Sequence, residues 1–226
     1  MGIRENLQEV REKVAGAARR AGRDPGDIEL VAVSKSVSIE KITEAYALGA
    51  KNFGENKAQE FLRKHSHLPA DARWHFIGHL QTNKVRKIIE KVHLIHSLDR
   101  VALAEEISRA AEENNLRAPV LIQVNIGGQG DRYGILPDQV SSFAAGAARL
   151  PGLEIKGLMA MAPWCEDPEA ARPYFRKMAS LFKQVKENVP GVSMEYFSMG
   201  MTGDYQVAVE EGANIIRVGT AIFGPR

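Results

Sequence analysis

The sequence predicts an α/β protein: a single (β/α)8 TIM barrel with an extra N-terminal helix. Eight apolar stretches of strand length alternate with stretches of helical periodicity, the order that builds a parallel barrel. Several strand stretches are apolar on both faces, as in Val120-Leu121-Ile122-Gln123-Val124-Asn125-Ile126. Strands read this way when their sheet is covered on both sides. A length of 226 residues with 44% apolar content supports one large core, and barrels of roughly 200–250 residues are commonly single domains. A doubly wound open sheet is the alternative that shares these observations.

The first element is a helix. Ile3, Leu7, Val10, Val14 and Ala18 recur at helical spacing, with Arg4, Glu5, Glu9, Arg11, Glu12 and Lys13 between them. A polar face carrying both charge signs suits packing on a core better than lying on a membrane. The helix stops near Gly22, and Asp24-Pro25-Gly26 turns the chain. Strands are expected at 28–35, 51–55, 73–79, 92–97, 118–126, 153–161, 193–199 and 214–219. Helices are expected at 39–49, 57–66, 82–90, 99–115, 137–149, 168–188 and 204–211. Ser38, before Ile39-Glu40-Lys41, and Asp99, after Leu98, have the chemistry of N-caps. The last strand is followed by too few residues for a full eighth helix before Arg226. The N-terminal helix is expected to cover that gap. One domain, 1–226, is expected, with no linker, low-complexity tract or internal repeat.

The charge balance excludes some function classes. Thirty basic and 28 acidic residues leave a net charge of +2, too little for a nucleic-acid or membrane footprint. Cys165 is the sole cysteine, so no intrachain disulfide forms and a reducing compartment is favoured. No apolar run approaches the roughly 18 residues that span a bilayer. Gly2-Ile3-Arg4-Glu5-Asn6 has neither the apolar core of a signal peptide nor the hydroxyl residue of a myristoylation site. A cytoplasmic location is expected.

In a parallel barrel, functional groups gather at the C-terminal ends of the strands. Lys35, Glu55, Asn56, His79, Ser97, Asn125, Met161, Ser198 and Gly219 should therefore converge on one mouth. Lys35 ends the apolar run Ile28-Glu29-Leu30-Val31-Ala32-Val33-Ser34. Its ammonium enters a semi-enclosed space, where desolvation favours the neutral, nucleophilic amine. The competing reading is a lysine that snorkels to solvent. Gly219-Thr220 closes the last strand and opens a short turn whose N–H groups and hydroxyl suit phosphate oxygens. Ser198, Gly200 and Met201 supply the strand-seven half of that site, where barrels of this kind commonly hold phosphate. Ordinary glycine turns are the alternative. A lysine and two anion-cradling loops suit a ligand with an aldehyde at one end and a phosphate at the other.

Other features point less far. His75 and His79 share a strand face but lack a third ligand at metal spacing. Gly127-Gly128-Gln129-Gly130 lacks the Gly-Lys-Ser/Thr ending of a nucleotide loop and reads as a mobile barrel loop. Lys84, Arg86 and Lys87 read as a solvated helix face, and Cys165 as a loop thiol without a catalytic partner. Lys156 lies on the strand used by Schiff-base aldolases, but toward its start, at the wrong end of the barrel.

Seven separate segments resemble the pyridoxal-phosphate homeostasis proteins, the YggS/PROSC family. They are Val31-Ala32-Val33-Ser34-Lys35, Phe53-Gly54-Glu55-Asn56, Trp74 through Lys84, His96-Ser97-Leu98-Asp99, Gly157 through Met161, Ser198-Met199-Gly200-Met201 and Arg217 through Gly224. The resemblance implies a barrel of the alanine-racemase N-terminal type that binds pyridoxal 5′-phosphate (PLP). It implies that Lys35 carries the cofactor as a Schiff base and that Ser198, Gly200, Gly219 and Thr220 surround its phosphate. Arg217 would lie near the pyridine nitrogen, with Asn56 beside the ring. The family is regarded as a carrier or regulator of the cofactor. Two segments depart from similar chains: Arg132-Tyr133-Gly134 stands where Lys-Ser-Gly is common, and Lys57 replaces a tyrosine. A second cofactor-handling lysine in that loop is therefore not expected.

The resemblance implies a cofactor site without turnover. PLP enzymes that use the ring as an electron sink keep its nitrogen protonated with an acidic partner, whereas an arginine can only donate there. Racemisation needs an acid or base on each face of the substrate carbon, and Lys35 serves one. The expected partners are PLP and PLP-accepting apoenzymes, with the chain a monomer. The alternatives are a weak PLP-dependent amino-acid racemase and a sugar-phosphate barrel enzyme without PLP.

Overall fold

The computed structural model describes residues 2–130 and 132–225, so the ends of the expected 1–226 domain and residue 131 lie outside it. Eight strands form a closed barrel in sequence order: β1 (Glu29–Val33), β2 (Asn52–Glu55), β3 (Arg73–Phe76), β4 (Leu94–Leu98), β5 (Ala118–Val124), β6 (Leu153–Ala160), β7 (Tyr196–Ser198) and β8 (Ile215–Val218). Every pairing is parallel. The register Glu29↔Ile215 through Ala32↔Val218 closes the ring and rules out the open sheet. The helices are α1 (Ile3–Arg20), α2 (Ile39–Ala47), α3 (Ala58–His65), α4 (Val85–Ile88), α5 (Val101–Glu113), α6 (Val140–Ala147), α7 (Arg172–Asn188), α8 (Tyr205–Glu210) and α9 (Thr220–Phe223). No helix among the described residues is long and apolar enough to cross a membrane.

Helix α1 takes the place expected of it. It buries Ile3, Leu7, Val10, Val14, Ala17 and Ala18 and packs on α8, α9 and α2. Asn6 Nδ2 donates to Ile222 O at 3.0 Å, and Arg11 Nη1 to Leu48 O at 3.0 Å. The four-residue α9 is too short to shield β8 and β1, and α1 supplies the missing cover.

Strand alternation divides the core in two. Val31, Leu94, Leu121, Met159 and Ile215 form an apolar layer inside the barrel. Phe53 and Phe61 pack against Trp74 between strands and helices, tilted and edge-on respectively, each with ring centroids 5.6 Å away. Each fully buried side chain of this size stabilises the fold by about 1.5–3 kcal/mol.

Several boundaries differ from expectation. β1 stops at Val33: Ser34 N still bonds Gly54 O at 3.0 Å, but Ser36 then adopts φ 61° and turns the chain. Lys35 therefore sits in a turn just past the strand. The 82–90 and 168–188 segments each begin with a 3₁₀ turn, Thr82–Lys84 and Pro168–Ala171. Asp99 does not cap α5, whose N-cap is Arg100. Its carboxylate instead meets His79 Nδ1 at 3.0 Å and Arg100 Nη1 at 2.5 Å.

Candidate functional site

The C-terminal ends of the strands enclose a cavity of about 640 Å³, within the range of small-ligand sites. Lys35, Asn56, Met201, Arg217, Gly219 and Thr220 all line it. Lys35 is half-buried and follows Val31 and Val33 on the inward-facing alternation. Gly78 lets Asn56 close in: a Cβ there would lie 2.4 Å from Asn56 O. Thr220 is exposed at the start of α9 and also borders a smaller cavity of about 260 Å³ that holds Lys41.

The turn that carries Lys35 rests on a buried ionic cluster. Lys64 reaches from α3 with its side chain 1% exposed and donates to Ser34 O at 2.6 Å, Glu55 Oε1 at 2.8 Å and Glu60 Oε1 at 2.6 Å. Ser34 Oγ donates to Glu55 Oε1 at 2.7 Å, and Ser36 N to Glu60 Oε1 at 2.6 Å. Both neighbours of Lys35 are thus tied to one cluster. Burial pushes the Glu55 carboxyl up, against the opposing pull of Lys64 and Ser34. Lys64 gave no sign of this role in sequence beyond its four-residue spacing from Glu60, a spacing most surface helices also show.

Arg217 is the fixed cation of the cavity. It is 4% exposed, and its guanidinium donates to Ser198 Oγ at 2.5 Å and Ala160 O at 2.9 Å. Burial pushes its pKa down to about 10, with Asp204 acting in the opposite sense, so it stays charged at neutral pH. Ser198 is fully buried and absent from the cavity wall. Its hydroxyl lies between Arg217 and His96 Nδ1, 3.0 Å away. Its side chain is turned into the barrel, toward Arg217 and His96. Gly200 is also set back from the cavity. With φ +84° and Tyr205 Cα 2.8 Å from a would-be Cβ, it serves the tight β7–α8 connection. Met201 lines the cavity, and its N–H donates to Asp204 Oδ1 at 2.6 Å.

The other strand-end residues divide. His79 and Met161 join the cavity. His79 stacks on Tyr133, with ring centroids 3.8 Å apart. Glu55 faces α3, and Ser97 is buried with no hydrogen-bond partner among the described residues. Asn125 braces its own loop, with Nδ2 donating to Gln129 O at 2.7 Å and Arg132 O at 3.2 Å. These bonds link Asn125 to Gln129 and Arg132 across the glycine-rich loop. Cys165 and the 84%-exposed Trp164 also reach the cavity, placements decided by loop packing that no spacing revealed. Lys156 pairs with Glu154 at 2.8 Å and Glu195 at 3.0 Å, away from the mouth. Arg86 bonds Glu106 Oε1 at 3.1 Å, tying α4 to α5. Among the described residues, no group of three or more His, Cys, Asp or Glu is placed to hold a metal.

His75 and His96 lie inside the barrel beneath Arg217, with His75 Nδ1 2.9 Å from His96 Nε2. Burial first, then His93 and Arg73, pushes His75 down to about 3. Burial first, then His75, Arg217 and His93, holds His96 well below the usual histidine range. An unfolded histidine titrates near 6.5, so between about pH 6.5 and 3 the unfolded chain binds more protons at His75 and stability falls with pH. At pH 5 the expected loss from His75 alone is about 2 kcal/mol relative to pH 7. Urea midpoints at pH 7 and 5 check this, and His75→Asn should reduce the difference.

The alanine racemase N-terminal domain family matches residues 3–226. A protein of Aquifex aeolicus named Pyridoxal phosphate homeostasis protein is 44% identical over 227 residues, covering 100% of this chain and 99% of its own. An Escherichia coli protein of the same name is 39% identical over 233 residues, covering 99% and 97%. Among solved structures, PipY of Synechococcus elongatus with PLP bound superposes with a TM-score of 0.86 at 35% identity, over 98% of this chain and 100% of its own. Alanine racemase from Corynebacterium glutamicum shares the fold alone, with a TM-score of 0.69 at 16% identity over 97% of this chain and 62% of its own.

Proposed function

This chain belongs to the pyridoxal phosphate homeostasis protein family, and from that premise we propose that it holds PLP on Lys35 and serves intracellular vitamin B6 balance. The reading is carried by one observation: Lys35, the anchored guanidinium of Arg217 and the Gly219-Thr220 loop face a single cavity. The donor set fits the cofactor. A primary amine, a fixed cation, an amide and a hydroxyl line the wall, and Asp204 is the only carboxylate among the described lining residues. Its Oδ1 already accepts from Met201 N.

When bound, PLP supplies an aldehyde that condenses with a primary amine. Lys35 offers that amine from a turn whose two flanking residues are tied down. Thr220 and the turn it opens offer donors to the phosphate, with Met201 on the facing wall. Arg217 lies at the barrel floor of the site and donates without accepting. Were the pyridine nitrogen to lie beside it, Arg217 would donate to that atom and leave it unprotonated, which would disfavour carbanion chemistry. The proposed role is therefore storage and delivery of the cofactor to PLP-accepting apoenzymes by a monomer, without catalytic turnover.

Equilibrium titration with PLP, read by visible absorbance, tests the assignment. Thr220→Ala is expected to weaken retention by about ten- to a hundredfold, since a hydrogen bond to a charged group contributes about 1.5–3 kcal/mol. An unchanged affinity would remove Thr220 from the phosphate site. Solvent-deuterium exchange at the α-carbon of common amino acids tests turnover: the holoprotein should give none, and exchange lost in Lys35→Ala would establish a catalyst instead.

A further inference from the structure

Five consecutive polar contacts cross the barrel interior below the mouth. Asn52 Oδ1 lies 3.1 Å from His75 Nε2, and His75 Nδ1 lies 2.9 Å from His96 Nε2. His96 Nδ1 lies 3.0 Å from Ser198 Oγ, Ser198 Oγ 2.5 Å from Arg217 Nη1, and Arg217 Nη2 2.9 Å from Ala160 O. The residues come from β2, β3, β4, β7, β8 and β6 in turn. His75, His96 and Ser198 are each 1% exposed or less. The interior of a barrel is ordinarily filled by branched apolar side chains, and buried polar groups are tolerated when each has a partner.

We propose that His96 and His75 are positioning residues for Arg217, which fix through Ser198 the place where its guanidinium meets the bound ligand. The chain has one consistent direction. Arginine only donates, so Ser198 Oγ accepts from it. Ser198 Oγ keeps a second lone pair, so the far end sets the direction: Asn52 Oδ1 can only accept, from His75 Nε2, which leaves His75 Nδ1 to accept from His96 Nε2 and His96 Nδ1 to accept the Ser198 hydroxyl hydrogen. His96 must carry its hydrogen on Nε2 and donates it to His75 Nδ1. His75 in turn carries its hydrogen on Nε2 and donates to Asn52 Oδ1. Every link has one donor and one acceptor, and this holds only while both rings are neutral. A proton added to His75 Nδ1 would oppose the His96 Nε2 hydrogen, and one added to His96 Nδ1 would strip Ser198 of its acceptor. Burial, with Arg73, His93 and Arg217 facing the pair, keeps both rings neutral. Ser198 consequently acts on a ligand through Arg217, because its hydrogen is directed down the barrel.

The proposal rests on the reading that Arg217 faces bound PLP, and the test separates the two. In ¹⁵N–¹H spectra of the ligand-free chain at pH 7, His75 and His96 are expected to carry hydrogen on Nε2 alone. The Arg217 Nη hydrogens should be resolved, as for an immobilised guanidinium. His96→Leu should collapse those Arg217 signals, whereas His96→Asn, whose amide oxygen can replace Nδ1 as the acceptor, should keep them. In titrations with PLP, His96→Leu should bind about tenfold more weakly and His96→Asn within about threefold of the parent. Hydrogen on Nδ1 of either histidine, or Arg217 signals and affinity unchanged in His96→Leu, would overturn the proposal. If His96→Leu does not fold, the parent tautomers and the His96→Asn spectra still decide it. Spectra as expected in a parent chain that ignores PLP would leave the relay standing and sink the functional reading.

Discussion

Borohydride reduction of the PLP-loaded chain is expected to fix the cofactor to one peptide, the one that contains Lys35. Lys35→Ala is expected to abolish both that label and the visible band. The structure separates Lys35 from its competitors. Lys64 is sealed in an ionic cluster with its side chain 1% exposed. Lys41 borders the smaller cavity on the far side of Thr220, and Lys57 is exposed outside the mouth. Lys35 alone of the four lines the cavity that contains Arg217. The effect should be close to all-or-none, because phosphate and ring contacts that remain in the variant do not survive denaturation, whereas a reduced covalent link does. Mass mapping of the peptides decides the matter. A label on Lys41 or Lys57 would move the site, and unchanged labelling of Lys35→Ala would remove Lys35 from the account.

Lys64→Met is expected to destabilise the fold by roughly 3–5 kcal/mol, the usual cost of leaving a buried charge without its partner. The substitution keeps most of the side-chain length but removes the donor shared by Ser34 O, Glu55 Oε1 and Glu60 Oε1. Glu55 is fully buried, and its Oε2 has no hydrogen-bond partner among the described residues even with Lys64 present. Burial already pushes the Glu55 carboxyl above its ordinary range, and the variant should push it further. A folded-state carboxyl pKa above the unfolded value makes the folded chain bind more protons, so stability falls as pH rises through it. The deficit of Lys64→Met should therefore be larger at pH 8 than at pH 5. Urea denaturation at both pH values measures it. A deficit under about 1 kcal/mol at pH 8 would show that the cluster contributes little to stability. Glu55→Gln added to Lys64→Met should recover part of the loss, because it removes the stranded charge.

The fold was legible in the sequence to within a few residues at most boundaries, and the misses have physical causes. Apolar periodicity located all eight strands but overran several ends: β3 stops at Phe76, β5 at Val124 and β1 at Val33, after which a positive φ at Ser36 turns the chain. The spacing of Asp99 resembled a cap because capping chemistry and ion pairing use the same carboxylate. Its partners His79 and Arg100 won. At the site, the strand-end rule pointed to Lys35, whereas Arg217 was named only through the family resemblance; both line the cavity, and the buried Ser198 hydroxyl meets Arg217 and His96. Lys64 and the two buried histidines were hidden because single residues of those types are usually exposed, and burial is a property of neighbours distant in the chain.

The amino-acid order by itself determined the barrel, the placement of α1 over the closing strands, and the candidate amine on Lys35. These depend on periodicity and on segment order, which local sequence carries. Tertiary structure alone decided which polar atoms meet: Lys64 under the Lys35 turn, and Arg217 on Ser198, His96, His75 and Asn52. Those contacts join residues up to 102 positions apart. Their directions follow from hydrogen-bond donors and acceptors that must be matched once closure of the ring has removed them from water.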